Sequence, residues 1–468
     1  RKWPVTPRNY EHGGYTSTSR IIPLEDGGRF KSQNDYLYQQ LQLVLEPLKN
    51  WKLFGEINYR IHNKNEHTEI LETSELGIDG INSQVEGVAG YAKGLTRITE
   101  YYYKENFLNT NLYTEYSHSF DSGHNLKGLI GFNAELSKDR DLKAYKEGLI
   151  TPSLPTIDTA TGLEKIQNGG YDQWATAGFF GRLNYNYKDR YMAEFNLRYD
   201  GTSRFLESKR WNWFPSVSAG WNIAREEFME SINSWLGSLK LRASYGQLGN
   251  QNTESLYPFY SLMDITAGGG NWLLNGVKPD KVLPAALISR YLTWEKVETW
   301  NVGLDFGLFD NRLTGSIEGF SRYTKDMVGP APELPVILGT DVPKMNNADL
   351  QTTGWELDLS WRDRLKNGLS YGIHFTVADA RMKVKRYPNE NNKVDVKNED
   401  KIYYEGQYIG DIWGYTTIGI AKTDEEMNNH LAKVDQSTIG NEWAAGDIMY
   451  ADLDGDGEIN GGQGMLGK

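Results

Sequence analysis

The 468-residue sequence contains no cysteine. That excludes disulfides, thiolate zinc sites and thiol catalysis. It has no uninterrupted apolar run long enough for a membrane-spanning helix, and mean hydropathy is −0.60. It has no excess of positive charge: the formal net charge is −12, and the acidic residues are scattered. That argues against nucleic acid as a partner. The seven histidines show no H-E-x-x-H spacing, and there is no phosphate loop, nucleophile elbow or dinucleotide fingerprint. Glu226 and Glu227 invite comparison with a glycosidase dyad. With 62 acidic residues, such a pair arises by chance, and the chain is not read as an enzyme.

What is there is a beat of alternating side chains. Tyr191, Ala193, Phe195, Leu197 and Tyr199 are apolar, and Met192, Glu194, Asn196, Arg198 and Asp200 between them are mostly polar. Successive residues of a strand point to opposite faces, so this segment has one greasy face and one wet face. The beat returns at Leu239–Tyr245, Val302–Leu308 and Trp355–Trp361. A membrane barrel needs an apolar residue only at every second position, so low hydropathy does not count against it. Aromatics make up 13% of the chain, with 29 Tyr and 14 Trp. These residues gather at membrane interfaces, although a large β-sandwich or propeller would also use them.

Roughly a dozen strands emerge, with short turns and long loops in alternation. Tyr191–Thr202 and Trp211–Ile223 are among the clearest. The connection from Lys138 to Asp172 carries a helix-like piece, and helices are expected at Arg225–Ser234 and Thr423–Ala432. The rhythm is that of an all-β, antiparallel transmembrane β-barrel with short turns inside and long extracellular loops outside. Phe195, Leu197, Phe306, Leu359 and Phe375 should face lipid. Glu194, Arg198, Arg242, Glu356, Asp358 and His374 should face the lumen. Trp51, Trp174, Trp235, Trp294, Trp300, Trp355 and Trp361 are candidates for interface belts.

Several stretches carry a resemblance. The run from Arg198 through Tyr199, Asp200, Gly201, Thr202, Ser203 and Arg204 to Phe205, then Arg210–Trp221, resembles the hallmark barrel segment of SusC/RagA-type TonB-dependent transporters. Leu239–Gln251, Trp294–Asp305, Asn347–Glu356 and Gly446–Gly457 resemble the same family in the same order. The resemblance implies an outer-membrane barrel of about 22 strands, an internal plug and a SusD-like lipoprotein lid. It implies energy from the TonB complex, cargo that is an oligosaccharide or, in some members, a peptide, and an assembly of two transporter–lid pairs. Residues 1–468 read as one partial barrel domain, without plug or final strands, opening at Arg1 in the middle of a larger unit. The rival readings are a soluble, β-rich glycan-binding protein and a glycoside hydrolase.

One local motif suggests a metal. Asp452, Asp454 and Asp456, followed by Gly457 and Glu458, match the first half of a calcium loop. Clustered carboxylates want a counter-ion, and Glu458 would offer its backbone carbonyl. Gln463 stands where an EF-hand needs a bidentate Glu, so the loop is not a full EF-hand, and an Asp-Gly turn with solvated carboxylates is the plain alternative. Tyr257, Tyr260, Trp272, Trp413 and Tyr415 lie in loops and are candidates for stacking on sugar rings.

Overall fold

A computed structural model describes residues 24, 27–76, 82–85, 96–330, 342–389, 403–459 and 466–467, apart from 233, 254, 264, 286, 413 and 454; of 73–85 and 466–467 only the backbone is described. Twelve long strands form one sheet: β1 (Phe30–Leu48), β2 (Trp51–Ile70), β3 (Arg97–Ser119), β4 (His124–Glu147), β5 (Lys165–Tyr187), β6 (Tyr191–Thr202), β7 (Trp211–Asn222), β8 (Leu236–Asn250), β9 (Glu295–Leu308), β10 (Leu313–Gly329), β11 (Met345–Arg364) and β12 (Ser370–Arg386). Each pairs with the next in chain order, antiparallel, as consecutive hairpins. Among the described residues, β1 and β12 each pair with one long strand only, and the outer edge of β12 also carries the segment around Tyr408: the Val384 amide donates to the Gln407 carbonyl and the Ile409 amide to the Met382 carbonyl, both at 2.8 Å.

By backbone contacts the chain falls into two units. The first comprises residues 1–46, 53–113 and 132–177, and so contains the loop-side lengths of β1–β5. The second comprises 47–52, 114–131 and 178–468, with the turn-side ends of those strands and all of β6–β12.

The alternation in the sequence becomes two faces through register. Phe195 lies opposite Val217, which lies opposite Tyr245, which lies opposite Trp300. Leu241, Leu304, Ile317, Leu357 and Val377 form a second such row across β8–β12. Phe195, Leu197, Phe306, Leu359 and Phe375 all fall on this apolar face. Many of its side chains have no protein cover: Phe195, Val217, Val302, Ile317 and Phe375 are all exposed. The band has edges. At its loop end, beyond Tyr245 and Trp300, the same face turns to Gln247, Glu298 and Lys325. At its turn end, Trp361 gives way to Asp363, paired with Arg312. Tyr191 and Tyr199 mark the two borders on β6 and are eight positions apart. That is roughly 26 Å of strand at ~3.3 Å per residue, or about 20 Å of membrane normal at a barrel tilt near 40°.

Tight turns close the other end. Asp310 and Asn311 both take positive φ between β9 and β10, a conformation that Asp and Asn tolerate best among side-chain-bearing residues. The helical connection expected over Arg225–Ser234 is 3₁₀ rather than α: a three-residue turn at Ile223–Arg225 is followed by a longer one at Glu227–Ile232. The helix-like piece expected within Lys138–Asp172 is instead the continuation of β4 and the start of β5, joined through a 3₁₀ turn at Ile157–Thr159.

Beyond the sheet, β13 (Thr417–Ile420) pairs with β14 (Ile448–Tyr450), and α1 (Asp424–Leu431) lies between them in sequence. Thr423 caps α1 by accepting the Glu426 amide at 3.2 Å, and three acids fill its first turn. Met427, Ala421 and Met449 pack with Leu431 and Trp443 into a small closed core. Gln436 is fully buried and links this core to the ribbon: its Oε1 accepts the Tyr450 amide at 2.8 Å and the His430 Nε2 proton at 2.9 Å.

Candidate functional site

Cross-strand polar pairs carry the chemistry within each unit. In the first unit, Arg60 pairs with Glu105 at 2.8 Å, and Asn109 donates to Glu135 at 3.1 Å. In the second, Arg242 on β8 pairs with Asp305 on β9 at 3.2 Å and with Glu318 on β10, and it reaches Asn301. Arg198 pairs with Asp200 at 2.8 Å and lies over the Phe180 ring. Glu194 accepts from Asn196 at 2.7 Å, and Asp358 is bonded to His374. Glu356 lies opposite Glu318 on the same face. All six residues expected in the lumen therefore share one side. Asp305 and Glu318 escaped sequence reasoning, because cross-strand partners are invisible without register. A concavity of about 610 Å³ lies on this face, lined by Lys127, Asn184, Glu194, Lys240, Arg242 and Asn301 among others.

The tryptophans divide. Trp300, Trp355 and Trp361 lie on the apolar face near its borders. Trp51 donates its indole proton to Thr114 at 2.7 Å at the turn end, and Trp235 is half exposed just before β8. Trp174 lies near Phe107, with ring centroids 6.2 Å apart. Trp294 does not belong to a belt. Trp294 is 5% exposed, wedged against Phe205 and Phe214, with its indole bonded to the Arg210 carbonyl at 2.8 Å. A Cβ on Gly249 would collide with the Phe214 ring and Trp294, so only glycine admits this wedge at the loop end of β8.

The loop aromatics also separate. Tyr257 and Tyr260 come together with Phe259, ring centroids 4.8–6.1 Å apart. Trp272 is largely exposed. Tyr415 packs edge-on against Tyr450 near the small core. Trp413 lies outside the described residues, as does Asp454 of the acidic loop. In that loop, Asp452 accepts the amides of Gly455 at 2.7 Å and Gly457 at 2.9 Å, one on each carboxylate oxygen. Asp456 accepts the Glu458 amide at 2.8 Å. Gly455 and Gly457 both take positive φ, which lets the chain curl around the Asp452 carboxylate.

Glu226 and Glu227 form no catalytic pair. Glu226 is buried at the turn end, accepting the Trp221 indole proton at 2.9 Å with Arg190 3.5 Å away. Hydrogen bonds from Tyr191 and Trp221, with the charge of Arg190, hold its carboxyl below its ordinary value.

A sheet with an apolar band bordered by aromatics and then by charge on one face, and a lattice of ion pairs on the other, is the wall of a bacterial outer-membrane β-barrel. No helix among the described residues is long and apolar enough to cross a membrane, so the strands make the crossing. The chain belongs to the family described as TonB dependent receptor-like, beta-barrel, whose model matches residues 2–424. It is 27% identical over 381 residues to TonB-dependent receptor P3 of Formosa agariphila, covering 80% of this chain and 37% of that protein. It is 32% identical over 200 residues to TonB-dependent receptor SusC of Bacteroides thetaiotaomicron, covering 42% of this chain and 20% of that protein. The solved RagAB peptide transporter shares its fold, with a TM-score of 0.71 at 22% identity over 85% of this chain and 42% of the other. The SusC/RagA-type resemblance of the sequence motifs thus holds. The chain spans well under half the length of the curated relatives it matches. The family is one of receptors and transporters rather than enzymes.

Proposed function

We propose that this chain is part of the wall of an importer that carries oligosaccharides across the bacterial outer membrane. A SusD-like surface lipoprotein captures cargo on the loop side. The TonB complex supplies energy through a plug contributed by the full-length protein, and two transporter–lid pairs assemble together. The observation that carries the reading is the two-faced sheet, in which hydrocarbon replaces a protein core on one side and fixed polar groups line a path on the other. Similarity to SusC supports the lid and the coupling to TonB. Tyr257, Tyr260, Trp272, Trp413 and Tyr415 are the proposed stacking surfaces for sugar rings. Peptide is the rival cargo, as in the RagAB transporter. The test is deletion of the full-length gene, followed by growth on single glycans and on peptides, with and without TonB. A TonB-dependent defect confined to a glycan bears the reading out. One confined to peptides replaces the cargo, and a defect indifferent to TonB ends the importer reading.

Calcium in the Asp452–Glu458 loop is a second proposal. The carboxylates of Asp452 and Asp456 already accept backbone amides of the curl, and carboxylate oxygens brought together in this way are the donors that calcium takes. Chelating divalent ions should expose this loop to protease, and re-adding calcium should protect it. An unchanged cleavage pattern would leave an Asp-Gly turn.

A further inference from the structure

We infer that the roots of the two loops following β8 and β10 enclose a subsite for one neutral, polyhydroxylated ring, the size of a single sugar residue. The inference rests on the glycan-import reading and adds a place to it. A cavity of about 270 Å³ lies there, lined by Asn252, Thr253, Ser255, Pro258, Ser289 and Lys344, with Leu292, Val328 and Pro343 as its apolar walls. It is smaller than the roughly 300–1,000 Å³ of drug-sized sites, so it holds one small unit rather than a chain.

The polar inventory selects the ligand. Three hydroxyls and one amide line the cavity, and each of these groups both donates and accepts. A sugar hydroxyl matches that dual character. Among the described residues that line the cavity, one carries an ammonium and none a carboxylate. Ser289 is 5% exposed, and its hydroxyl has no hydrogen-bond partner among the described residues. Next to Asn252 in the chain, Gln251 has a buried carbonyl oxygen that is likewise unpaired. Buried polar groups are seldom left unmatched, and those that are mark places where a ligand or water belongs. Thr253 donates its proton to the Ser255 carbonyl at 2.6 Å and keeps its lone pairs for an incoming donor.

The surroundings point the same way. Pro258 lines the cavity and is flanked by Tyr257, Phe259 and Tyr260, whose rings contact one another. Tyr260 is 63% exposed, so a flat apolar surface stands free beside a pocket of hydroxyls. One ring of a glycan held in the pocket would leave the next free to stack on tyrosine.

The test uses detergent-solubilised full-length protein and a panel of methyl glycosides of common hexoses and pentoses, read by saturation-transfer NMR with competition. At least one glycoside should bind. Ser255→Trp, at an exposed position on the cavity wall, should weaken that binding at least fivefold. Ser289→Ala should weaken it about two- to tenfold, the range of one lost hydrogen bond. Both variants should keep the parent's melting temperature, and if Ser255→Trp does not fold, Ser289→Ala decides. No glycoside binding, or binding indifferent to the variant that folds, would mean the cavity holds water only and overturns the subsite. The two readings fail separately. Peptide-specific uptake with intact glycoside binding sinks the cargo assignment alone, and glycan uptake with variant-insensitive binding sinks the subsite alone.

Discussion

The strand wall and the small C-terminal core are made from the same kinds of residue and bury them against different things. In the core, Met427 is 0% exposed and touches only protein. In the wall, Phe195 is 48% exposed and Phe375 54%, although both sit mid-strand within the apolar band that register defines. A water-soluble sheet would pack a layer against that face. Here lipid is the missing layer. The polar groups differ in the same way: the core threads a single buried glutamine through its centre, while the wall spreads its charges over one open face as cross-strand pairs. A residue's place in the alternation therefore matters more in the wall, and its shape matters more in the core.

Truncation should separate the two most strongly. Met427→Ala leaves a cavity that protein cannot refill, at a cost of about 2–5 kcal/mol. The expected result is local unfolding of residues 417–450, seen as faster amide exchange of α1 while β6–β12 stay protected. Leu197→Ala removes as many side-chain heavy atoms, but acyl chains close the gap, so only the transfer part is lost, about 2 kcal/mol or less. Equal losses would mean that the wall is packed against protein after all. Charge reverses the comparison. Leu197→Arg puts a guanidinium into the apolar band and should destabilise the refolded full-length barrel in vesicles by roughly 2–4 kcal/mol near the midplane. Asn196→Arg, one residue away on the polar face, should cost well under about 1 kcal/mol, because there the cation meets water and Glu194. Similar effects at 196 and 197 would break the two-face assignment.

How much of this was legible in the sequence follows the same division. Inside the band, one face must be apolar and the other polar, so Tyr191–Thr202 could be read to its ends and five lipid-facing residues placed correctly. Where strands leave the bilayer, both faces are wet and alternation fades. Lys138, Asp139, Arg140 and Asp141 are consecutive charges, which is why the loop-side length of β4 reads as a connection rather than a strand. The start of α1 announced itself through Thr423 and its acidic first turn, which act locally. Trp294 did not. Nothing in its neighbourhood distinguishes a belt tryptophan from one wedged between Phe205 and Phe214, far back in the chain. The Ser289 cavity was equally hidden, being assembled from residues near 252–258, 289–292 and 343–344 with no common spacing.

The smallest expected effect concerns the turn-side rim of the wall, where stability depends on charge rather than on apolar burial. Glu226 ties Trp221 and Tyr191, on neighbouring strands, to the 3₁₀ turn that leads into β8. Its carboxyl is held below the ordinary 4.5, first by Tyr191, then by Trp221 and Arg190. A depressed carboxyl adds stability that is complete above its unfolded value and disappears as pH falls through its folded value. Lowering the pH from about 5 toward 3 should therefore loosen this corner. Exchange of the Glu226 and Met229 amides, bonded to Ile223 and Glu226 carbonyls, should speed up first. Glu226→Gln keeps an acceptor for the indole but cannot titrate, so it should show little of this acid step while already being looser than the parent at pH 7. An acid step of the same size in the Gln variant would place the sensitivity elsewhere, with Asp189, which is bonded to Arg225 across the same turns, the next carboxyl to replace.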